Sequence, residues 1–483
     1  MRLDTIHSLI IVAMVALATQ ITRWTPFLLF SGERKLPRVV EDLGKLLPPA
    51  MMGLLVVYSL RSTDLLGGSH GIPEAVAVAV TAGLHLWRRN TLLSILAGTV
   101  CYMLLVQLVF CRSVQAPSLG TALSYFPVNG AHYGQCYVCE VRIMDVKRLS
   151  RQTCRFLQPP GVVSFAAVAG KLEGEGPLGG CFDAVGTDAF CGKKTWEQGE
   201  AQMQADALRL ALQKGGLAAE DVDCAFAGDL LNQNIGATFA LRDFNIPFYG
   251  VYGACSTMGE TLSLAAMAVA SGAVRMAAAQ TSSHFCTAER QYRMPLPYGS
   301  QRSPTAQWTA TAAGCCILGA QAEGPYITHV TRGRIVDLGV TDMTNMGAAM
   351  APAAFDTLQA VFRDTGTVPG DYDLILTGDL GDVGSRIVLE LFAREGVALE
   401  NYTDCGLVLY DRKRQDMHAG GSGCGCSAAV LCGYLLPEMR RGRWRRVLFA
   451  PTGALLSPTS SFQGESIPGI CHAVVLDRTK EDA

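Results

Sequence analysis

The first 112 residues contain four apolar runs separated by short polar stretches. The runs cover residues 6–30, 46–60, 73–87 and 91–110, and few charged residues lie inside them. The first and last runs are long enough to cross a bilayer as helices, whereas the middle two are short for a span. A soluble helical bundle would need a polar face on each helix, which these runs lack. The pattern predicts an all-α transmembrane segment over residues 1–112, with about four helices.

The pattern of apolar and polar residues changes after residue 112. Residues 113–147 are rich in Gly, Ser, Pro and Tyr and have no clear period, which is typical of a linker. From residue 148 onward, helical periods alternate with short apolar strands. This alternation predicts an α/β domain with mainly parallel sheets.

An internal repeat divides the α/β region. Asp206 corresponds to Asp356 and Gly216 to Gly366, an offset of 150 residues in both cases. Each copy predicts a helix that stops at a glycine, a short apolar strand (224–227 or 374–377) and a Gly-Asp-Leu turn. The duplication predicts two similar halves within one domain over residues 148–478, the first half 148–322 and the second 323–478.

Composition and charge exclude some functional classes. The formal net charge of −2 gives no reason to expect a nucleic-acid partner. Most of the 17 cysteines are scattered through apolar segments, where a free cysteine acts as a small core residue. Cys136 and Cys139 form a lone CxxC without a second pair at zinc spacing, so we expect no metal site.

Cys255 is the clearest candidate for chemistry. It lies in a Gly-Ala-Cys-Ser turn after an apolar strand and before an alanine-rich helix, so its sulfur is expected at a helix N-terminus. The helix dipole and free N–H groups would stabilise a thiolate there. Acyl transfer would still need a general base. The chain has only eight histidines, and none lies between Asp373 and Met417 or in the turn 420–427.

A duplicated α/β chain with such a cysteine turn resembles the thiolase and ketoacyl synthase superfamily, which implies a five-layer αβαβα fold. Within that superfamily, several long motifs resemble the stage V sporulation protein AD family from about residue 151 to 476. The motifs are Gly-Asp-Leu-Leu-Asn-Gln (228–233), Gly-Ala-Cys-Ser-Thr (253–257), Thr-Ser-Ser-His (281–284), Thr-Ala-Glu-Arg-Gln (287–291), Met-Ala-Pro-Ala-Ala (350–354), Gly-Gly-Ser-Gly-Cys-Gly-Cys-Ser (420–427) and Thr-Gly-Ala-Leu-Leu-Ser-Pro (452–458).

The resemblance implies a role in sporulation. Members are expected to bind dipicolinic acid, with calcium as an accompanying cation, for uptake into the developing spore. They are expected to work with the other SpoVA membrane components at the spore inner membrane, and a homodimer through the thiolase-like domain is left open. Thiolases carry a His-Pro pair where this chain has Cys424 to Ser427. Ketoacyl synthases keep another histidine where it has Gly378 to Asp382. A working thiolase is therefore not implied.

The N-terminal segment resembles the AzlD-type small subunit of branched-chain amino acid exporters. The layout of apolar runs carries this resemblance, together with Thr-Arg-Trp-Thr-Pro-Phe (22–27) and Leu-Leu-Pro-Pro (46–49). An exporter made by the whole chain would need the large AzlC-type partner, which this chain does not contain. Met144 is a second candidate start, so the chain is either a natural fusion or two neighbouring reading frames read as one.

The candidate ligand-binding residues come from three motifs: Cys255, His284, Glu289, Arg290, Asp229, Asn232 and Gln233. Arg290, or alternatively Arg293, would bind one carboxylate of dipicolinate through two N–H groups. The N–H groups at the start of the helix after Cys255 would bind the other carboxylate. The alternative interpretation of His284 is a core histidine whose hydrogen bonds are all made within the protein. The alternative for Asp229 is a turn cap, because the same turn in the second copy contains Asp379.

Two functional classes remain open. The first is a binding component of a transport system. The second is an acyltransferase or condensing enzyme with Cys255 as nucleophile and a rearranged base such as His284. His418 precedes the second glycine turn, where an exposed or packing role is expected. The missing histidines of the second half favour binding.

We predict that residues 1–112 are not needed for the fold of the rest. The duplicated halves bury their sheets against each other, so the fragment Met144 to Ala483 should have its own core. Expressed alone, it should be soluble, α/β by circular dichroism, and should melt cooperatively. Aggregation that only residues 1–112 relieve would show that the two parts form one structural unit.

Overall fold

The computed structural model describes residues 146–293 and 302–480, together with Val76. The chain divides into two units, Met1–Cys136 and Tyr137–Ala483, and the described residues other than Val76 belong to the second. The predicted transmembrane segment, residues 1–112, and residues 113–145 of the predicted linker lie outside the described residues, Val76 excepted. Within 146–293 and 302–480, no helix is both long and apolar enough to span a bilayer.

The first half begins with a hairpin and continues as alternating helices and strands. Its strands are β1 (Val146–Arg148), β2 (Thr153–Phe156), β3 (Gly161–Ala169), β4 (Ala184–Val185), β5 (Cys224–Gly228), β6 (Phe248–Gly250), β7 (Met276–Ser283), β8 (Trp308–Thr309) and β9 (Ala312–Gly319). Its helices are α1 (Lys171–Gly174), α2 (Trp196–Gly215), α3 (Ile235–Leu241), α4 (Thr257–Ala270) and α5 (Phe285–Tyr292).

The second half repeats the same alternation. Its strands are β10 (Tyr326–Thr331), β11 (Leu374–Gly378), β12 (Tyr402–Asp404), β13 (Gly421–Ser422), β14 (Arg446–Ala454), β15 (Gly469–Cys471) and β16 (Ala473–Asp477). Its helices are α6 (Met346–Thr365), α7 (Gly381–Arg394), α8 (Cys405–Val408), α9 (Cys424–Ala429), α10 (Leu436–Arg440) and α11 (Pro458–Phe462), and a π-helical stretch, Val430–Leu435, joins α9 to α10.

The repeat found in the sequence is present in the structure. The predicted strands 224–227 and 374–377 are β5 and β11. The helices before them, α2 and α6, both end at a glycine with left-handed backbone, Gly216 (φ 62°) and Gly366 (φ 70°). Glycine adopts this conformation without steric cost, so it stops each helix at the same point of its copy.

The two halves have the same strand order. It is β6-β5-β7-β9-β3 in the first and β12-β11-β14-β16-β10 in the second, which is 3-2-4-5-1 in the chain order of each half. The fifth strand, β9 or β16, runs antiparallel to its neighbours, and the others are parallel to one another. The sheets meet where Tyr326 of β10 pairs with Gly161 of β3. The duplicated α/β architecture is therefore confirmed, with one reversed strand in each half.

Helices cover the sheets in five layers. Helices α2 and α3 pack on the outer face of the first sheet around Leu208 and Ile317. On the outer face of the second sheet, α6 packs around Leu358 and Leu448, and α7 packs against α6. Helices α4 and α9 lie between the sheets, where Met258 belongs to a core that includes residues of both halves. The order of layers is therefore αβαβα.

We predict that Gly453→Ala destabilises the protein. A Cβ at Gly453 of β14 would lie 2.2 Å from Gly253 O and 3.1 Å from Cys255 N, so the turn before α4 would have to move. Overpacking of this kind costs about 1–3 kcal/mol, measurable by urea denaturation. Gly370→Ala is the matched control, because no described atom lies within 4 Å of its Cβ. Equal stability of the two variants would contradict the prediction.

Candidate functional site

Cys255 lies in a turn between β6 and α4 that the second half supports from behind. The turn is a 3₁₀ segment, Ala254–Ser256, and Ala254 has φ 51°, a left-handed value that is uncommon for alanine. The Ser256 hydroxyl donates to Gly253 O at 2.7 Å and the Thr257 hydroxyl donates to Ala254 O at 2.6 Å. These bonds hold the strained turn at the N-terminus of α4.

A pocket opens at Cys255, and the empty space in and around its mouth, open solvent included, is about 530 Å³. Both halves of the domain contribute to it. The turn after β5, the Cys255 turn and α5 come from the first half, and β13, α6 and the end of β14 come from the second. The lining residues are Leu230, Tyr252, Ala254, Cys255, Ala288, Glu289, Tyr292, Arg293, Thr309, Met346, Met350, Ser422, Ala454 and Leu456.

The polar groups of the pocket form two pairs. Arg293 Nη1 donates to Glu289 Oε1 at 2.5 Å, and this ion pair is largely buried. The hydroxyls of Tyr252 and Tyr292 lie 2.7 Å apart, and that of Tyr292 also donates to Leu230 O. Burial raises the pKa of Tyr252 to about 12 and raises that of Tyr292 further, so both hydroxyls are neutral.

The Cys255 thiol is protonated at neutral pH. Burial raises its pKa far above the usual value, and the neighbouring Asp379 carboxyl raises it further. The N–H groups of Gly423 and Cys255 and the charge of Arg293 act in the opposite direction but do not offset the burial. Burial therefore opposes the thiolate that the helix N-terminus is expected to stabilise.

The structure brings only part of the predicted site together. Cys255 and Glu289 line the pocket, and so does Arg293, the alternative to Arg290. His284 does not. Its ring is buried, Nε2 lies 2.8 Å from Ala189 O, and Nδ1 accepts from Cys286 N at 3.1 Å, which caps α5. With both nitrogens engaged and its pKa lowered by burial, His284 is a satisfied core histidine. The prediction that His284 binds the ligand is therefore corrected.

Arg290 also lies away from the pocket. Its guanidinium pairs with Glu197, and its Cζ lies 5.4 Å from the centre of the Trp196 ring. About half of the side chain, 52%, is exposed to solvent. Arg293 stands four positions after Glu289, its partner in the pocket, whereas Arg290 does not line the pocket.

The Gly-Asp-Leu-Leu-Asn-Gln motif has a structural role. The buried Asp229 carboxylate accepts from Leu231 N and Ala237 N, each at 2.7 Å, and so caps the loop that leads into α3. Asn232 and Gln233 lie at the surface, where Asn232 Oδ1 accepts from Gln291 at 2.9 Å. These three predicted residues do not line the pocket, because the carboxylate that closes the loop turns the following residues toward solvent.

Several lining residues were not predicted from the sequence. Tyr252 could have been found, because it stands three positions before Cys255 in the same turn. Met346, Met350 and Ser422 come from distant segments of the second half, and no local pattern distinguishes them from core residues. Among the described histidines, none lines the pocket. His418 is half-buried and its Nδ1 lies 2.7 Å from Ser303 O, as a packing role implies.

Comparison with known proteins identifies the family. The family model described as Stage V sporulation protein AD matches residues 150–477. The stage V sporulation protein AD of Bacillus subtilis (strain 168) is 45% identical over 334 residues, which are 69% of this chain and 98% of that protein. The chain belongs to the stage V sporulation protein AD family. This membership gives it a role in sporulation.

The N-terminal segment matches a second family. The model described as Branched-chain amino acid transport protein (AzlD) covers residues 8–106. An uncharacterized protein of Haemophilus influenzae is 47% identical over 105 residues, 22% of this chain and 96% of that protein. The predicted arrangement, an AzlD-type segment before a stage V sporulation protein AD domain, is confirmed.

Solved structures of condensing enzymes resemble about two thirds of this chain. The 3-oxoacyl-[acyl-carrier-protein] synthase III of Aquifex aeolicus is 11% identical with a TM-score of 0.43, covering 66% of this chain and 99% of that chain. The corresponding enzyme of Pseudomonas aeruginosa is 11% identical with a TM-score of 0.42, covering 67% and 99%. The thiolase-like assignment rests on the family and on the two matching strand orders.

Proposed function

We propose that the family domain of this chain is a non-catalytic binding component that takes up dipicolinic acid for transport into the developing spore. Dipicolinate is a flat pyridine with two carboxylates, so its site needs an apolar slot and donors for both anionic ends. The observation that carries the proposal is the pocket at Cys255. It combines the side chains of Met346 and Met350 with the guanidinium of Arg293.

Arg293 supplies the positive charge. Its side chain is 22% exposed, and the contact with Glu289, its recorded carboxylate partner among the described residues, is made through Nη1. A guanidinium has five N–H donors in a planar fork, so the remaining donors can take a ligand carboxylate as a bidentate pair. Glu289 holds the Arg293 guanidinium in place, as expected of a residue that positions a ligand-binding side chain.

Neutral donors support the same function. Tyr252, Tyr292 and Cys255 line the pocket, and burial keeps all three protonated at neutral pH. The Cys255 thiol can donate to a carboxylate oxygen or a ring nitrogen, whereas Tyr292 gives its one proton to Leu230 O and accepts that of Tyr252. None of the three adds a negative charge that would oppose a dianion. Their raised pKa values therefore favour anion binding, whereas they disfavour nucleophilic attack.

Acyl transfer by Cys255 is the alternative function. It needs a base that removes the thiol proton. Among the described histidines, His284 has both ring nitrogens engaged and His418 contacts Ser303 O and Asp416. The raised pKa of Cys255 leaves little thiolate at neutral pH. These observations favour binding.

The transport role is proposed from the two families together. An AzlD-type segment in the same chain supports a location at the spore inner membrane and action with the other SpoVA membrane components. Calcium would enter as the chelated form of the cargo. The carboxylates of Glu289 and Asp229, which as oxygen ligands would suit calcium, are engaged by Arg293 and by backbone amides. The proposal includes a homodimer that forms through the thiolase-like domain.

We predict that Arg293→Ala weakens dipicolinate binding about tenfold to a hundredfold, because one charge-assisted contact contributes roughly 1.5–3 kcal/mol. Isothermal titration calorimetry on the full-length protein measures the change. Arg290→Ala is the matched control. It removes the same charge three residues away, from a side chain that pairs with Glu197, and should leave the affinity unchanged. A loss of affinity in Arg290→Ala alone would contradict the assignment.

We also predict that the protein has no thiolase or condensing activity. Because burial holds the Cys255 thiol protonated and no described histidine lines its pocket, incubation with acetyl-CoA and acetoacetyl-CoA should give no turnover. Cys255→Ala serves as the control for contaminating enzymes. Turnover in the wild type that Cys255→Ala abolishes would refute the binding-only function.

A further inference from the structure

The two Gly-Asp-Leu turns of the repeat use their aspartates differently. In the first copy, Asp229 accepts from the amides of Leu231 and Ala237 and so closes its own loop. In the second copy, Asp379 is fully buried and no described backbone amide or cation meets its carboxyl oxygens; the Cys426 thiol and the Ser427 hydroxyl are the donors that face them. A buried carboxyl that lacks amide and cation partners is uncommon in native proteins, so this one needs an explanation.

A different residue closes the second loop. Asp404, at the end of β12, accepts from Leu380 N at 3.1 Å, from Gly381 N at 2.9 Å and from the Thr377 hydroxyl at 2.8 Å. Asp379 is therefore released from the capping role that Asp229 performs. It is nevertheless held with φ 74°, a left-handed value that costs energy outside glycine, while its backbone oxygen accepts from Gln307.

The Asp379 carboxyl acts electrostatically on Cys255, and among the described groups that act on Asp379 none is a cation. From β12 and α8 it faces Asp404 and Cys405, from α9 it faces Cys426 and the Ser427 hydroxyl, and from the turn before α4 it faces Cys255. An ionised carboxylate in this surrounding would be a buried charge next to a second carboxyl. Burial and Asp404 accordingly raise the pKa of Asp379 well above its usual value.

We propose that Asp379 is a positioning residue that stays protonated and so keeps the surroundings of Cys255 uncharged, which lets a dicarboxylate bind in the pocket. The proposal rests on the function proposed above. A dianion in a pocket of low dielectric is repelled strongly by a nearby carboxylate, whereas a neutral carboxylic acid does not repel it. The proton stays on Asp379 throughout, and no covalent bond changes.

The sign of the pH dependence follows from this arrangement. The bound dianion favours the protonated form of Asp379, so its pKa is higher in the complex than in the free protein. The affinity for dipicolinate is therefore highest at pH values where Asp379 is protonated in both the free protein and the complex. It falls as the pH rises through the pKa that Asp379 has in the free protein. Each pH unit above that value costs up to about tenfold, until the group in the complex also ionises.

Asp379→Asn tests the proposal, because the amide has nearly the same shape and cannot ionise. Dipicolinate binding to the full-length protein is measured by calorimetry between about pH 7 and 10, the range in which buried carboxyls titrate. We expect Asp379→Asn to bind within about threefold of wild type at pH 7 and to keep that affinity at higher pH, where wild type weakens. Glu200, whose pKa burial raises to about 8, titrates in both proteins and cancels in the comparison.

Asp229→Asn is the matched control from the first turn. It should lower the melting temperature, because Asp229 caps its loop, and its affinity should still fall at high pH as that of wild type does, although loss of the Asp229 charge lowers the pKa of Glu200. Infrared difference spectroscopy of the dipicolinate complex, wild type minus Asp379→Asn, should show the carbonyl band of a protonated carboxylic acid at pH 7.

Three results would overturn the proposal. They are coinciding pH profiles of wild type and Asp379→Asn, a missing infrared band, or a loss of more than about tenfold in Asp379→Asn at pH 7, which would mean that a carboxylate is required. Wild-type protein that binds no dipicolinate at any pH would refute the proposed function itself, and this inference with it.

Discussion

The packing of α4 and α9 between the two sheets is the contact on which the pocket depends. It is close because glycines stand where backbones meet. A Cβ on Gly314 would lie 2.6 Å from Ala428 O, and one on Gly425 would lie 2.2 Å from Ala312 O. A larger residue at either position would push the central layer apart. This packing brings Cys255, at the start of α4, within reach of the Gly423 N–H, at the start of α9.

The same central layer decides the electrostatics of the site. It removes water from Cys255 and Asp379, and the neutral form of each group is favoured because desolvation acts against the charged form. The charge of the pocket is then reduced to the ion pair of Arg293 and Glu289. Among the described residues, this leaves a pocket with a protonated thiol, no histidine and one paired guanidinium.

Sequence patterns predicted the parts of the fold that depend on local interactions. The period of apolar residues and the glycine stops indicated α2, β5, α6 and β11, because these signals act over a few neighbouring residues. The candidate site was predicted less well. His284 and Arg290 stand in a dense polar motif, yet the carbonyl of Ala189 and the carboxylate of Glu197 engage them. Both partners lie more than 90 positions earlier in the chain, beyond the range of any local pattern.

The sequence by itself therefore determined the family, the duplication and the position of the cysteine turn, since each of these is carried by residue identities at fixed spacing. The tertiary structure decided which side chains share the pocket and which of them carry charge. Asp229 and Asp379 occupy equivalent places in the repeat. Only the fold shows that Asp229 accepts hydrogen bonds from the amides of its own loop, whereas Asp404 accepts those of the second loop in place of Asp379. Burial and hydrogen bonding depend on neighbours from both halves, and these exist only once the two sheets have closed on the central helices.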